Sequence, residues 1–247
     1  MVAGTMLLPM VAPVHAAEFT DAQKAELGTV VHDYLMAHPE VLRDALVALE
    51  SKQKRDEEAN RGQVVESNAT ALFDSPYQAT LGNPQGKVAI VEFFDYNCGY
   101  CKRALDDMAR LMKSEPELKV VLKDFPVLGP GSVEAAQVAS AVRAQFKGDK
   151  FWQFHNKLLL TRGPVAKAQA LAVAKELGAD MDQLGRDMDK PEIKAGIKQN
   201  MVLADALSLT GTPSYVVGKD VVVGAVGYDE LRGRISNYVR CGRSECS

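Results

Sequence analysis

Apolar positions recur at steps of three and four early in the chain. Leu27, Val30, Val31, Tyr34 and Leu35 share one face, which predicts an amphipathic helix opened by Thr20 or Asp21. His38-Pro39 stops that helix and starts another, because proline suits a first helical turn and not an interior one. In the second helix Leu42, Leu46 and Leu49 form a stripe. Two helices of roughly forty residues together bury too little apolar surface to fold alone. Their stripes need a partner, either the same helices of another subunit or the main domain of this chain. The first is favoured, giving an oligomerisation arm over 18–50. The "SKQKRDEEANR" that follows, with seven charged residues in eleven, reads as a solvated helix or linker over 51–70.

From about residue 71 the pattern changes. "KVAIVEFF" (87–94) and "LKVVLKDF" (118–125) are short, apolar and β-branched, as fully buried strands are. Between them Ala104, Leu105, Met108, Leu111 and Met112 fall at helical spacing, so the segment predicts a parallel β-α-β unit. A helical insertion follows over about 132–209, with Ser132 as its cap and breaks at Gly148, "RGP" and "LGAD". Its Phe151, Phe154, Leu158 and Leu159 form a stripe that reads as core. "PSYVVG" and "VVVGAVG", joined by "KD", predict a hairpin. "YDELRGRISNYVR" predicts a closing helix with Leu231, Ile235 and Val239 on one side. The result is an α/β domain over 71–247.

Composition adds limits. With 47% apolar and 25% charged residues in 247, the chain is an ordinary globular one. A formal charge of −3 gives no basic surplus for nucleic acid or anionic lipid. The start, "MVAGTMLLPMVAPVHAAEFT", has the shape of a secretory signal over 1–17 cleaved near Ala17, although no Lys or Arg precedes its apolar segment. No later run reaches the roughly 20 apolar residues of a membrane span, so a soluble, exported protein is expected. Export sets an oxidising compartment, in which the four cysteines are worth pairing. The histidines, His15, His32, His38 and His155, show no ligand spacing, and "NAT" at Asn68 is a weak glycosylation pattern.

The chemistry concentrates in "FFDYNCGYCKRA" (93–104). Cys98 and Cys101 could supply half of a zinc site, an inert staple or a redox pair. Zinc would need Cys241 and Cys246 or scattered histidines as further ligands, and so short a staple restrains little unfolded chain. Electron exchange fits best. A cysteine at a helix start sits beside unpaired N–H groups and the positive dipole end, which favour the thiolate. Cys98 is then the nucleophile and Cys101 the resolving thiol. Cys241 and Cys246, in the tail "RCGRSECS", are candidates for a small structural disulfide.

"VEFFDYNCGYC" followed much later by "TGTPSYVVG" resembles the DsbA-like thiol-disulfide oxidoreductases of the bacterial envelope. The resemblance covers about residues 71–240 and implies a thioredoxin-like α/β fold with a helical insertion, preceded here by the N-terminal helical arm. That arm, "EFTDAQKAELGTVVHDYLMAHPEVL", further resembles the N-terminal segment of ScsC-type proteins, suppressors of copper sensitivity. The resemblance implies that Pro213 is the cis-proline, with the Thr212 backbone open to a substrate strand. It also implies that Glu92 is a buried acid tuning Cys101, and Lys123 reads as its partner on the next strand. The Gly99-Tyr100 pair lacks the histidine of the strongest oxidases and resembles disulfide isomerases. The expected protein is therefore a periplasmic disulfide isomerase or reductase, without cofactor or metal. It would act on misfolded disulfide-containing proteins and be reset by a membrane redox partner. A dithiol oxidase and a Cu(I)-binding protein of metal tolerance are the alternatives.

Overall fold

A computed structural model describes residues 19–243 and residue 246. The expected signal over 1–17 lies outside the described residues. In chain order the elements are α1 (Asp21–Ala37), α2 (Pro39–Ser67), α3 (Ala69–Phe73), β1 (Ala79–Gly82), β2 (Val88–Phe94), α4 (Gly99–Ser114) and β3 (Leu118–Asp124). The helical insertion follows as α5 (Pro130–Val142), α6 (Gly148–Leu159), α7 (Lys167–Glu176), α8 (Met181–Met188) and α9 (Pro191–Ala206). The chain closes with β4 (Ser214–Val217), β5 (Asp220–Val223) and α10 (Tyr228–Cys241).

The chain divides into two compact units, Met1–Lys54 and Arg55–Ser247. In the first, Thr20 caps α1 through a reciprocal box. Its hydroxyl accepts from Gln23 N–H at 3.3 Å, and Gln23 Oε1 accepts from Thr20 N–H at 3.0 Å. α2 begins at Pro39, and the charged stretch after Glu50 is part of this helix. No residue of α1 is buried. Leu27, Val30, Val31, Tyr34, Leu42, Leu46 and Leu49 are each roughly half exposed.

The second unit is built on a five-stranded sheet in the order β1-β3-β2-β4-β5. β2 and β3 are parallel, with Glu92 opposite Leu122 and Phe93 opposite Lys123. β4 runs antiparallel to β2, and β5 antiparallel to β4. Because side chains alternate across a strand, the sheet serves two cores. Ile90, Phe94, Val120, Leu122 and Tyr215 face the cluster that contains α4 and most of the insertion. Val91, Phe93, Val121 and Val216 face Val65, Leu72, Leu203 and Leu207. Burial on both faces explains why β2 and β3 read as continuous apolar runs.

Four details differ from the sequence reading. β1, only four residues long, was not expected. Ser132 is not the cap of α5; Gly129 holds that place, and Ser132 is buried with its hydroxyl on Asp95. The hairpin turn consists of Gly218 and Lys219, since Val217 pairs with Asp220. Val239 lies away from Leu231 and Ile235 and is 54% exposed.

Candidate active site

The strand β2 delivers the chain to a three-residue loop, Asp95-Tyr96-Asn97, after which Cys98 caps α4. Cys98 has extended backbone angles, φ −76° and ψ 117°, and its sulfur accepts from Cys101 N–H at 3.4 Å. The same sulfur lies 3.1 Å from the carbonyl oxygen of Thr212, to which it donates when protonated. The Thr212–Pro213 peptide is cis. β4 starts at the next residue, so the sheet itself holds this loop against the sulfur.

Cys98 and Cys101 are both buried and unbridged, and their environments push them apart. The hydrogen bond from the Cys101 side chain, with further donors from Thr212 and the backbone of Cys101 and Tyr100, holds Cys98 down to about 5 against the opposing effect of burial. Cys101 is driven strongly upward by that same bond, by burial and by the charge of Glu92. At neutral pH the first sulfur is therefore a thiolate and the second a thiol. A thiolate with a thiol one turn away is an arrangement that can attack a disulfide and then resolve the mixed product.

Glu92 is 5% exposed and projects between Ile90 and Phe94 toward the α4 side of the sheet. Burial, and then the negative charge of Cys98, raise it to about 8. Lys123 is not its partner, which corrects the sequence reading. Opposite Phe93 and one register step from Glu92, Lys123 projects from the other face. There its ammonium donates to the Ala71 carbonyl at 2.6 Å and to Gln78 Oε1 at 2.9 Å, tying α3 and the approach to β1 onto the sheet. Burial, with Arg143 adding repulsion, lowers it to about 7.

The loop between β2 and Cys98 holds residues that the sequence reading did not single out. The Asp95 carboxylate accepts from the N–H groups of Asn97 at 2.8 Å and of Val127 and Leu128 at 2.9 Å, and from Ser132 Oγ at 2.7 Å. The Tyr96 hydroxyl lies 3.3 Å from His155 Nδ1 within a cage of Phe94, Phe151 and Trp152. Burial holds His155 at about 3, so its ring is neutral. Asp and Asn just before a helix are turn residues, which was a usable signal. Their partners lie far along the chain and gave none.

At the other end of the second unit Cys241 and Cys246 form a disulfide, with Cα atoms 6.1 Å apart. Among the described residues no cluster of three or more His, Cys, Asp or Glu is arranged to hold a metal ion. No described helix is long and apolar enough to cross a membrane.

Residues 89–236 match the DSBA-like thioredoxin domain, and residues 23–55 match the copper resistance protein ScsC N-terminal domain. A thioredoxin-like oxidoreductase from Silicibacter pomeroyi DSS-3 is 40% identical with a TM-score of 0.66, over 70% of this chain and 99% of that one. Proteus mirabilis ScsC in a transitional conformation is 27% identical with a TM-score of 0.66, over 90% of this chain and 97% of that one. The Na(+)/H(+) antiporter NhaA 3 of Salinispora tropica is 28% identical over 138 residues, 55% of this chain. The present chain spans only 21% of that antiporter's length.

Proposed function

Because the chain belongs to the DsbA-like thioredoxin family, we propose that it is a periplasmic thiol-disulfide oxidoreductase that reduces and isomerises wrong disulfides in secreted proteins. The observation that carries this reading is Cys98. It is a buried sulfur at the start of α4, held as a thiolate and touching the cis Thr212–Pro213 loop. An extended substrate pairs its backbone with Thr212 and so brings its own sulfur to Cys98.

The Cys98 thiolate attacks one sulfur of a substrate disulfide. The substrate S–S bond breaks, its other sulfur leaves as a thiolate, and a mixed disulfide forms. Two exits follow. A thiolate of the substrate attacks the substrate sulfur, forming the correct bond and returning Cys98 unchanged, which is isomerisation. Alternatively Cys101 attacks Cys98, closing the Cys98–Cys101 disulfide and releasing a substrate reduced by two electrons. Cys101 must first lose its proton. Once Cys98 is in the mixed disulfide its charge no longer adds to burial in raising Glu92, so the carboxyl gives its proton to the departed substrate thiolate and, as a carboxylate, takes the proton of Cys101. A membrane redox partner then resets the pair.

Isomerisation is favoured over simple oxidation by the exposed stripes of α1 and α2, which suit assembly of several copies and so of several sites on one substrate. Refolding of a scrambled multi-disulfide protein tests this. Recovery without added oxidant, lost in Cys98→Ser, is expected. Activity confined to oxidising a reduced substrate rejects isomerisation and leaves a dithiol oxidase.

A further inference from the structure

The residues flanking the sulfur pair grip one short piece of the helical insertion by both ends. Before the pair, Asn97 Oδ1 accepts from Val165 N–H at 2.7 Å, and Asn97 Nδ2 donates to the Val165 carbonyl at 2.8 Å. The side-chain amide thus pairs with the backbone as a neighbouring strand would. The same Nδ2 donates to Ser132 Oγ at 3.0 Å, whose hydroxyl proton goes to Asp95. After the pair, Lys102 Nζ donates to the Thr161 carbonyl at 2.9 Å. Between these anchors Arg162, Gly163 and Pro164 are exposed, with Gly163 at φ 76° turning the chain, while Val165 is buried.

We propose that Thr161–Val165 is a strap clamping the first turn of α4, and that Asn97 is the positioning residue through which the insertion keeps Cys98 ionised. The proposal rests on reading Cys98 as the nucleophile. The donors that stabilise the thiolate lie in the first turn of α4 and in the Thr212 loop, and a helix's first turn is the part that frays. Asn97 immediately precedes Cys98, so its side chain sets the direction in which the cap residue leaves the loop. Lys102 closes the same turn, its N–H donating to the Cys98 carbonyl at 3.1 Å. When the strap is released, Cys98 samples arrangements in which the Cys101 donors miss it. The thiolate then loses its advantage without any change of charge nearby.

The test is an ultraviolet titration of thiolate in the reduced, full-length chain, with Asn97→Ala as the variant because it removes three hydrogen bonds and no charge. The wild-type midpoint is expected at about 5. In N97A it rises by about one pH unit, a tenfold loss of thiolate below the midpoint, and the rate of Cys98 alkylation shifts by the same amount. A folded N97A with the wild-type midpoint overturns the strap, since docking of the insertion alone would not move this profile. A wild-type midpoint in the alkaline range overturns the functional reading itself, and the strap with it. If N97A does not fold, Lys102→Met releases the other anchor. It is read in about 1 M salt, where the lost charge is screened. A raised midpoint there supports the strap and an unchanged one overturns it.

Discussion

Cys98 and Glu92 exchange one proton when the chain folds. Unfolded, the carboxyl titrates at 4.5 and the thiol at 9.0, so between these values the proton is on sulfur. Folded, Glu92 is raised to about 8 and Cys98 lowered to about 5, so the proton is on the carboxyl. Taken alone, Glu92 makes the folded chain bind the extra proton, and its contribution is lost as pH rises through about 8. Cys98 alone makes the unfolded chain bind it, and its contribution is lost as pH falls through about 5. Between about pH 5 and 8 the two slopes cancel. Glu92→Gln leaves only the second. The stability of the reduced variant relative to wild type is then expected to rise with pH in that window, by up to about 1.4 kcal/mol per unit. Urea unfolding at several pH values measures it, and parallel profiles would show that no proton is exchanged. Glu92 was legible as an anomaly, a carboxylate in an apolar strand. Its supposed partner was misplaced because a single register step moves a side chain through the sheet, and sequence proximity does not reveal which face a neighbouring strand presents.

The element that presents Pro213 is the β4–β5 hairpin, and its far end is pinned by one close packing contact. Gly218 has φ 59°, and a Cβ there would lie 2.0 Å from a ring carbon of Tyr238. The Tyr238 hydroxyl accepts from Lys219 N–H at 2.9 Å. Gly218→Ala therefore combines a left-handed backbone with a collision against a ring. It is expected to cost more than about 2 kcal/mol and to lower the melting temperature by several degrees in a thermal scan. Wild-type melting would show that α10 yields easily. The hairpin, β2, β3 and α4 were all readable from local pattern, since each carries its own apolar run or spacing. β1 was not, because "ATLG" has no such run. It becomes a strand only through pairing with β3, from Ala79 opposite Leu122 to Gly82 opposite Lys119. The same holds for Asn97, whose partners Ser132 and Val165 lie 35 and 68 residues away.

At the level of the whole chain the arm carries the prediction about assembly. Light scattering on the full chain is expected to give a multiple of the chain mass of 26.8 kDa. A version beginning at Arg55, where the second compact unit starts, is expected to be a monomer. A monomeric full chain would remove the main support for isomerisation over oxidation. The tail disulfide sits near Gly242, which lines a cleft with Lys87, Val88, Gly218 and Tyr238 at the entry to β2. Cys98 stands beyond the exit of that seven-residue strand, roughly 20 Å off at about 3.3 Å per residue. On the proposed function, the chain thus keeps its own bridge beyond the reach of its own blade. On that proposal each polypeptide has a capacity of one electron pair, and every net reduction must be followed by recharging from outside.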